Sequence, residues 1–284
     1  MTDEPDLPVL TAKLVHEMFH GYQFRQNWTC WADEMEALFH YQYHAENLCL
    51  KLRENDLLLS LLEHFDASAY QELLSHRKRR SEKYPYEFAY ESKVEEIEGT
   101  ATYVEWMVLK QLDNRAAAAM AERMRAVMTK PDSLFPIRIS SYDTGALMTY
   151  AMICAGDYPF AAVDRPAIAL ALQDVPPSDG SFPGKDACFQ QVSAAISAFH
   201  RKSEAIIQSA LEQNHIVAVG PLELLGVNVY DARCCRGYLT SSCFLQYQDE
   251  HGAHTLSGDF VLQMADETTI SRVYRLDPPT DAHL

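Results

Sequence analysis

Apolar positions recur with helical spacing along most of the chain. Leu10, Leu14, Val15, Met18 and Phe19 form a stripe that predicts a helix over 9–24. A second helical run covers 32–64 with a bend near Asn55–Asp56, and a third covers 67–82. Pro85 and its neighbouring turn residues open a further helix over 87–112, and "RAAAAMAERMRAVM" is helical by propensity. After the loop "KPDSLFPIRISS", an apolar helix runs from about Tyr142 to Ala155 and stops at Gly156. The segment "DVPPSDGSFPG" reads as loop, and 186–213 as one more long helix. Beyond it the pattern changes to short β-branched and aromatic runs between turn residues: "HIVAVG", "GVNVYD", "GYLTSSCFLQY", "GDFVLQM" and "ISRVYRL". The expected fold class is therefore α+β and mainly α: a helical body over 1–214 followed by a small antiparallel β unit over 215–284 with one buried face.

Composition narrows the range of partners. The 284 residues carry a formal net charge of -16, which disfavours a phosphate backbone or an anionic membrane as partner. The one basic run, "HRKRR" at 76–80, reads as a solvated helix end. No run of apolar residues is long enough to span a membrane. The N-terminus "MTDEPDLPVL" is unlike a signal peptide, and seven scattered cysteines without a C-x-x-C suit a reducing compartment. The expectation is a cytoplasmic protein without nucleic-acid partners; the oligomeric state is left open.

Candidate chemistry lies in "KLVHEMFHGYQ". His16 and His20 are four apart, so on a helix their imidazoles share a face and can hold one Zn²⁺. Glu17 lies too far round to ligate the same ion, but is placed to take a proton from an activated water. A third donor must come from a packed helix. Glu98 in "EEIEGTATYVEW" is the best candidate, on a stripe with Glu91, Glu95 and Glu105. Those three read either as a solvated acidic face or as support for a ligating histidine. Gly99, costly inside a helix, implies a very close packing neighbour such as the metal-bearing helix. The dyad at His251 and His254 in "DEHGAH" reads as a hairpin turn.

"HEMFH" followed by "EGTATYVE" resembles the gluzincin class of zinc metallopeptidases, distantly the aminopeptidase N catalytic domain. That resemblance implies Zn²⁺ as cofactor, with His16, His20 and Glu98 as ligands and Glu17 as general base. "SYDTGALMTYAMICAGDYPF" is similar to a third stretch of the same family, and by motif its oxyanion-stabilising tyrosine falls on Tyr142. The implied function is hydrolysis of a peptide or amide bond in a peptide or protein substrate. The alternative is a non-catalytic binding or regulatory protein on the same scaffold. The chain also departs from the family. Seventy-seven residues separate His20 from Glu98, Thr144 stands at the family's lysine, and the exopeptidase motif G-x-M-E-N is absent. Only about fifteen residues precede His16, where zincins usually carry a sheet whose edge strand holds the peptide.

Overall fold

The computed structural model describes residues 6–158 and 164–276. Among them the fold is α+β and mainly helical, with one antiparallel sheet near the C-terminus. The chain divides into two compact units: Met1–Ala32 with Gln42–Ser193, and Asp33–Tyr41 with Ala194–Leu284. The expected boundary at 214 marks where helix gives way to strand. The division between the units falls earlier, after Ser193, because the last part of the final helix packs on the sheet.

The first unit is helical. It contains α1 (Leu7–Arg25), α3 (Ala45–Glu63), α4 (Ala67–Lys83), α5 (Pro85–Val94), α6 (Thr100–Leu112), α7 (Asn114–Met128), α8 (Ile137–Ala155) and the short α9 (Ala167–Ala171). A single π-helical turn, Glu95–Gly99, joins α5 to α6. Asp66 and Asp113 cap α4 and α7 by accepting from backbone amides at their first turns, which explains why those helices start there. Gly156, at φ 77°, closes α8 in the left-handed conformation. Leucines of α3 and α4 pack with Trp106, Met124, Met128, Leu147 and Met152 into the main core.

The second unit holds α2 (Glu34–His40), the C-terminal part of α10 (Lys185–Gln213) and seven strands. These are β1 (Ile216–Val227), β2 (Arg233–Cys235), β3 (Tyr238–Ser241), β4 (Phe244–Asp249), β5 (Gly252–Ser257), β6 (Asp259–Met264) and β7 (Thr269–Leu276). All pairings are antiparallel, in the order β2-β3-β6-β7-β1-β4-β5. The sheet is covered on two faces rather than one. Phe260 and Leu262 pack in the cluster that receives Met35, Leu38 and Phe39 of α2, whereas Val261 packs with Ile207 and Ala210 of α10.

Four local expectations change. The run 32–64 is broken at Tyr41, whose backbone is extended, so one amphipathic run supplies α2 to one core and α3 to the other. "HIVAVG" and the start of "GVNVYD" belong to one twelve-residue strand, irregular between Val219 and Leu222, and Asn228–Asp231 is a turn. "GYLTSSCFLQY" is two strands, and "DEHGAH" forms the β4–β5 hairpin as expected. On α1 most of the apolar stripe faces outward: Leu10 is 40 % exposed, Leu14 55 % and Met18 71 %, while Val15 and Phe19 are half-buried. The inward face carries Ala12, His16 and Gln23 instead, because α6 offers polar partners there.

The basic run at 76–80 is not a solvated end. Arg77 and Arg80 are fully buried, together with Lys51 and the carboxylates of Glu54, Glu91 and Glu95. Arg80 donates to Glu54 at 2.8 Å, to Glu91 at 2.5 Å and to Asn47 at 2.8 Å. Lys51 lies 2.6 Å from Glu95 and 3.1 Å from Glu91, and Arg77 pairs with Glu95. Three cations and three carboxylates neutralise one another, which makes their burial tolerable. Glu91 and Glu95 therefore serve this network rather than a solvated face or a histidine.

Candidate metal centre

Three helical elements of the first unit build the site. α1 presents His16 and His20 one turn apart, the π-helical turn presents Glu98, and α8 presents Arg138 and Tyr142. His16 Nε2 lies 3.1 Å from His20 Nε2 and 3.7 Å from Glu98 Oε2, and His20 Nε2 lies 3.2 Å from the same oxygen. Among the described residues this is the group of histidine, cysteine and carboxylate side chains that converges closely enough to hold a metal ion. A tetrahedral zinc with nitrogen and oxygen ligands at about 2.05 Å sets its donor atoms about 3.3 Å from one another. The three edges observed bracket that length, so the donor set fits zinc in both chemistry and spacing.

A layer of polar groups orients these donors. His16 Nδ1 lies 3.2 Å from Oε2 of Glu105, about two helical turns beyond Glu98, as an ion-pair contact. His20 Nδ1 meets Gln23 Oε1 at 2.8 Å. Arg138 donates through one nitrogen to Glu98 Oε1 at 2.9 Å and to the Tyr142 hydroxyl at 3.0 Å. Glu98 thus turns one oxygen to the guanidinium and the other to the imidazoles. Without a metal the cluster is an ion pair. Burial works against the His16 imidazolium, but Glu105 and Glu98 outweigh it and bring its pKa to about 9. Burial likewise opposes ionisation of Glu98, yet contacts with His16 and His20 and the charge of Arg138 hold its carboxyl well below the usual range.

Of the residues singled out from sequence, His16, His20 and Glu98 come together, and Tyr142 joins them through Arg138. Glu17 is exposed on the adjoining flank of α1. Gly99 does mark a close approach, but its neighbour is Gly145 of α8, not α1: a Cβ there would sit 2.4 Å from Gly145 Cα. Thr144, at the family's lysine, is buried and donates to the Ser140 carbonyl, and Asn55 Oδ1 lies 3.2 Å from its hydroxyl. Residues 159 and 160, the end of the third motif stretch, lie outside the described residues.

Sequence reasoning missed Gln23 and Arg138. Gln23 sits three residues after His20 on the same face, a spacing that could have flagged it. Arg138 was hidden because α8 starts at Ile137, five residues before the expected start. That puts Arg138 one turn ahead of Tyr142 on a helix rather than in a loop.

Compared with known proteins, the chain matches no family model, no curated protein and no solved structure. The described helices include none long and apolar enough to cross a membrane.

Proposed function

We propose that this chain is a zinc-dependent hydrolase of the gluzincin type that cleaves a peptide or amide bond. The observation that carries the reading is the triangle of His16 Nε2, His20 Nε2 and Glu98 Oε2, with edges of 3.1, 3.2 and 3.7 Å. Zinc held by two imidazoles and a carboxylate supplies Lewis acidity, polarising a carbonyl and bringing a water's pKa towards about 7. Glu105 and Gln23 orient the two imidazoles, and Arg138 fixes which oxygen of Glu98 faces them. Glu17, exposed beside His16, takes the proton of the attacking water and returns it to the leaving amine. Tyr142 accepts a hydrogen bond from the same Arg138 nitrogen that holds Glu98, which keeps its hydroxyl beside the ligand carboxylate to donate to the oxyanion as charge develops. All seven cysteines are unpaired, which supports a reducing compartment such as the cytoplasm.

A second reading has one observation in its favour. The outward apolar stripe of α1, from Leu7 to Met18, suits a scaffold that binds a partner beside its metal. One experiment separates the two. Zinc content is measured by mass spectrometry, and cleavage of a peptide library is followed with and without chelator, for the native chain and Glu17→Gln. The hydrolase reading expects one zinc in both proteins and chelator-sensitive cleavage in the native chain alone. Cleavage by zinc-loaded Glu17→Gln would overturn the mechanism; stoichiometric zinc without any cleavage would favour the binding reading.

A further inference from the structure

Gln23 is fully buried, and each of its amide hydrogen-bonding groups is engaged. Its Nε2 donates to the carbonyl of Ile97 at 3.0 Å and reaches Thr100 Oγ1 at 2.9 Å. The Thr100 hydroxyl spends its own proton on the carbonyls of the turn before it, those of Glu96 and Ile97. Thr100 therefore accepts from Gln23. Both acceptors fix the amide in one orientation, with Nε2 towards the π-helical turn and Oε1 towards His20. An amide oxygen only accepts, so His20 must donate to it from Nδ1 at 2.8 Å. The lone pair of neutral His20 is then on Nε2, the atom that faces His16 Nε2 and Glu98 Oε2.

We infer that Gln23 and Thr100 are positioning residues. They lock His20 in the Nδ1–H tautomer and tie the helix bearing both histidines to the turn bearing Glu98. The same side chain that sets the tautomer holds the Ile97 carbonyl, one residue before Glu98, so imidazole and carboxylate are placed by one strut. Ligating histidines are tuned in this way by the hydrogen bond at their other nitrogen. The consequence for metal affinity rests on the zinc reading; the tautomer does not.

The test uses Gln23→Met, which keeps length and loses both polar functions, and the pair Thr100→Val and Thr100→Ser. Zinc affinity is measured by chelator competition on variants that circular dichroism shows to be folded. Gln23→Met is expected to bind zinc roughly 10–100-fold more weakly, and Thr100→Val to weaken it in the same direction, with Thr100→Ser close to the native chain. In the zinc-loaded native protein, nitrogen-coupled proton spectra should show a slowly exchanging imidazole proton on His20 Nδ1 that is lost in Gln23→Met. Native-like affinity in Gln23→Met, or equal loss in Thr100→Val and Thr100→Ser, overturns the inference. A native chain that binds no zinc sinks the zinc reading alone. The tautomer is then read from the ¹⁵N shifts of His20 in metal-free protein, at an alkaline pH above which those shifts no longer change. An Nδ1–H tautomer there supports the strut, and an Nε2–H tautomer overturns it.

Discussion

Two glycines on helices allow one substitution to be tried in opposite settings. Gly21 on α1 has nothing within 4 Å of where a Cβ would stand. Gly99, beside the candidate ligand Glu98, would place its Cβ 2.4 Å from Gly145 Cα, 2.6 Å from Gly145 C and 3.0 Å from Ala146 N. All three are backbone atoms and cannot swing aside. Ordinary carbon contacts begin near 3.5 Å, so α8 and the π-helical turn must part by about 1 Å. Such overpacking costs about 1–3 kcal/mol, against a gain of about 0.5–1 kcal/mol from replacing a helical glycine. Gly99→Ala should therefore lose about 1–2 kcal/mol, while Gly21→Ala gains about 0.5–1 kcal/mol. Urea unfolding of the chelator-treated protein, followed by tryptophan fluorescence, is the assay. Trp28, Trp31 and Trp106 all belong to the helical unit. With an m-value of about 2 kcal/mol/M, the Gly99→Ala midpoint should fall by about 0.7 M and the Gly21→Ala midpoint rise by about 0.3 M. Displacing Glu98 should also weaken zinc binding by roughly tenfold or more. A midpoint for Gly99→Ala that rises as far as that of Gly21→Ala would refute the close approach.

Three other perturbations address separate parts of the helical unit. Glu105→Ala removes the carboxylate beside His16 Nδ1 and should weaken zinc binding roughly 10–100-fold by chelator competition, with little change if that contact is incidental. Arg80→Met strips Glu54 and Glu91 of a buried partner and should cost about 3–5 kcal/mol in urea unfolding; a loss below about 1 kcal/mol would show that water enters the network. Burial raises the Glu96 carboxyl from 4.5 to about 7, so its protonated form is favoured in the fold. The stabilisation is full below about pH 4.5 and is lost as pH rises through 7; Glu96→Gln should match the native chain at about pH 4 and exceed it by up to about 3 kcal/mol at about pH 8. Identical pH profiles for the two proteins would contradict that burial.

The local geometry of the site was legible because it depends on spacing alone. Residues four apart on a helix share a face whatever surrounds them, so His16 and His20 could be paired before any fold was known. Glu98 was chosen as the best donor on an acidic stripe and by its resemblance to the gluzincin ligand; Gly99 beside it did signal a close approach, but to Gly145 of α8 rather than to the histidine helix. Arg138 was not legible, since its helix start was misplaced by five residues and its role depends on Tyr142 standing one turn away.

Periodicity in the sequence determined where most helices lie, that strands follow them, and that two imidazoles point the same way. It could not determine which face of a helix turns inward. Of the stripe that hydrophobicity would bury, Leu10, Leu14 and Met18 are exposed and only Val15 and Phe19 are half-buried, while His16 and Gln23 are buried against Glu105 and Thr100. Arg77 and Arg80 read as solvated and are buried, because Glu54, Glu91 and Glu95 meet them from other helices. Burial of a polar group is decided by whether partners arrive from elsewhere to replace water. Those partners are distant in sequence, and only the tertiary structure brings them within bonding distance.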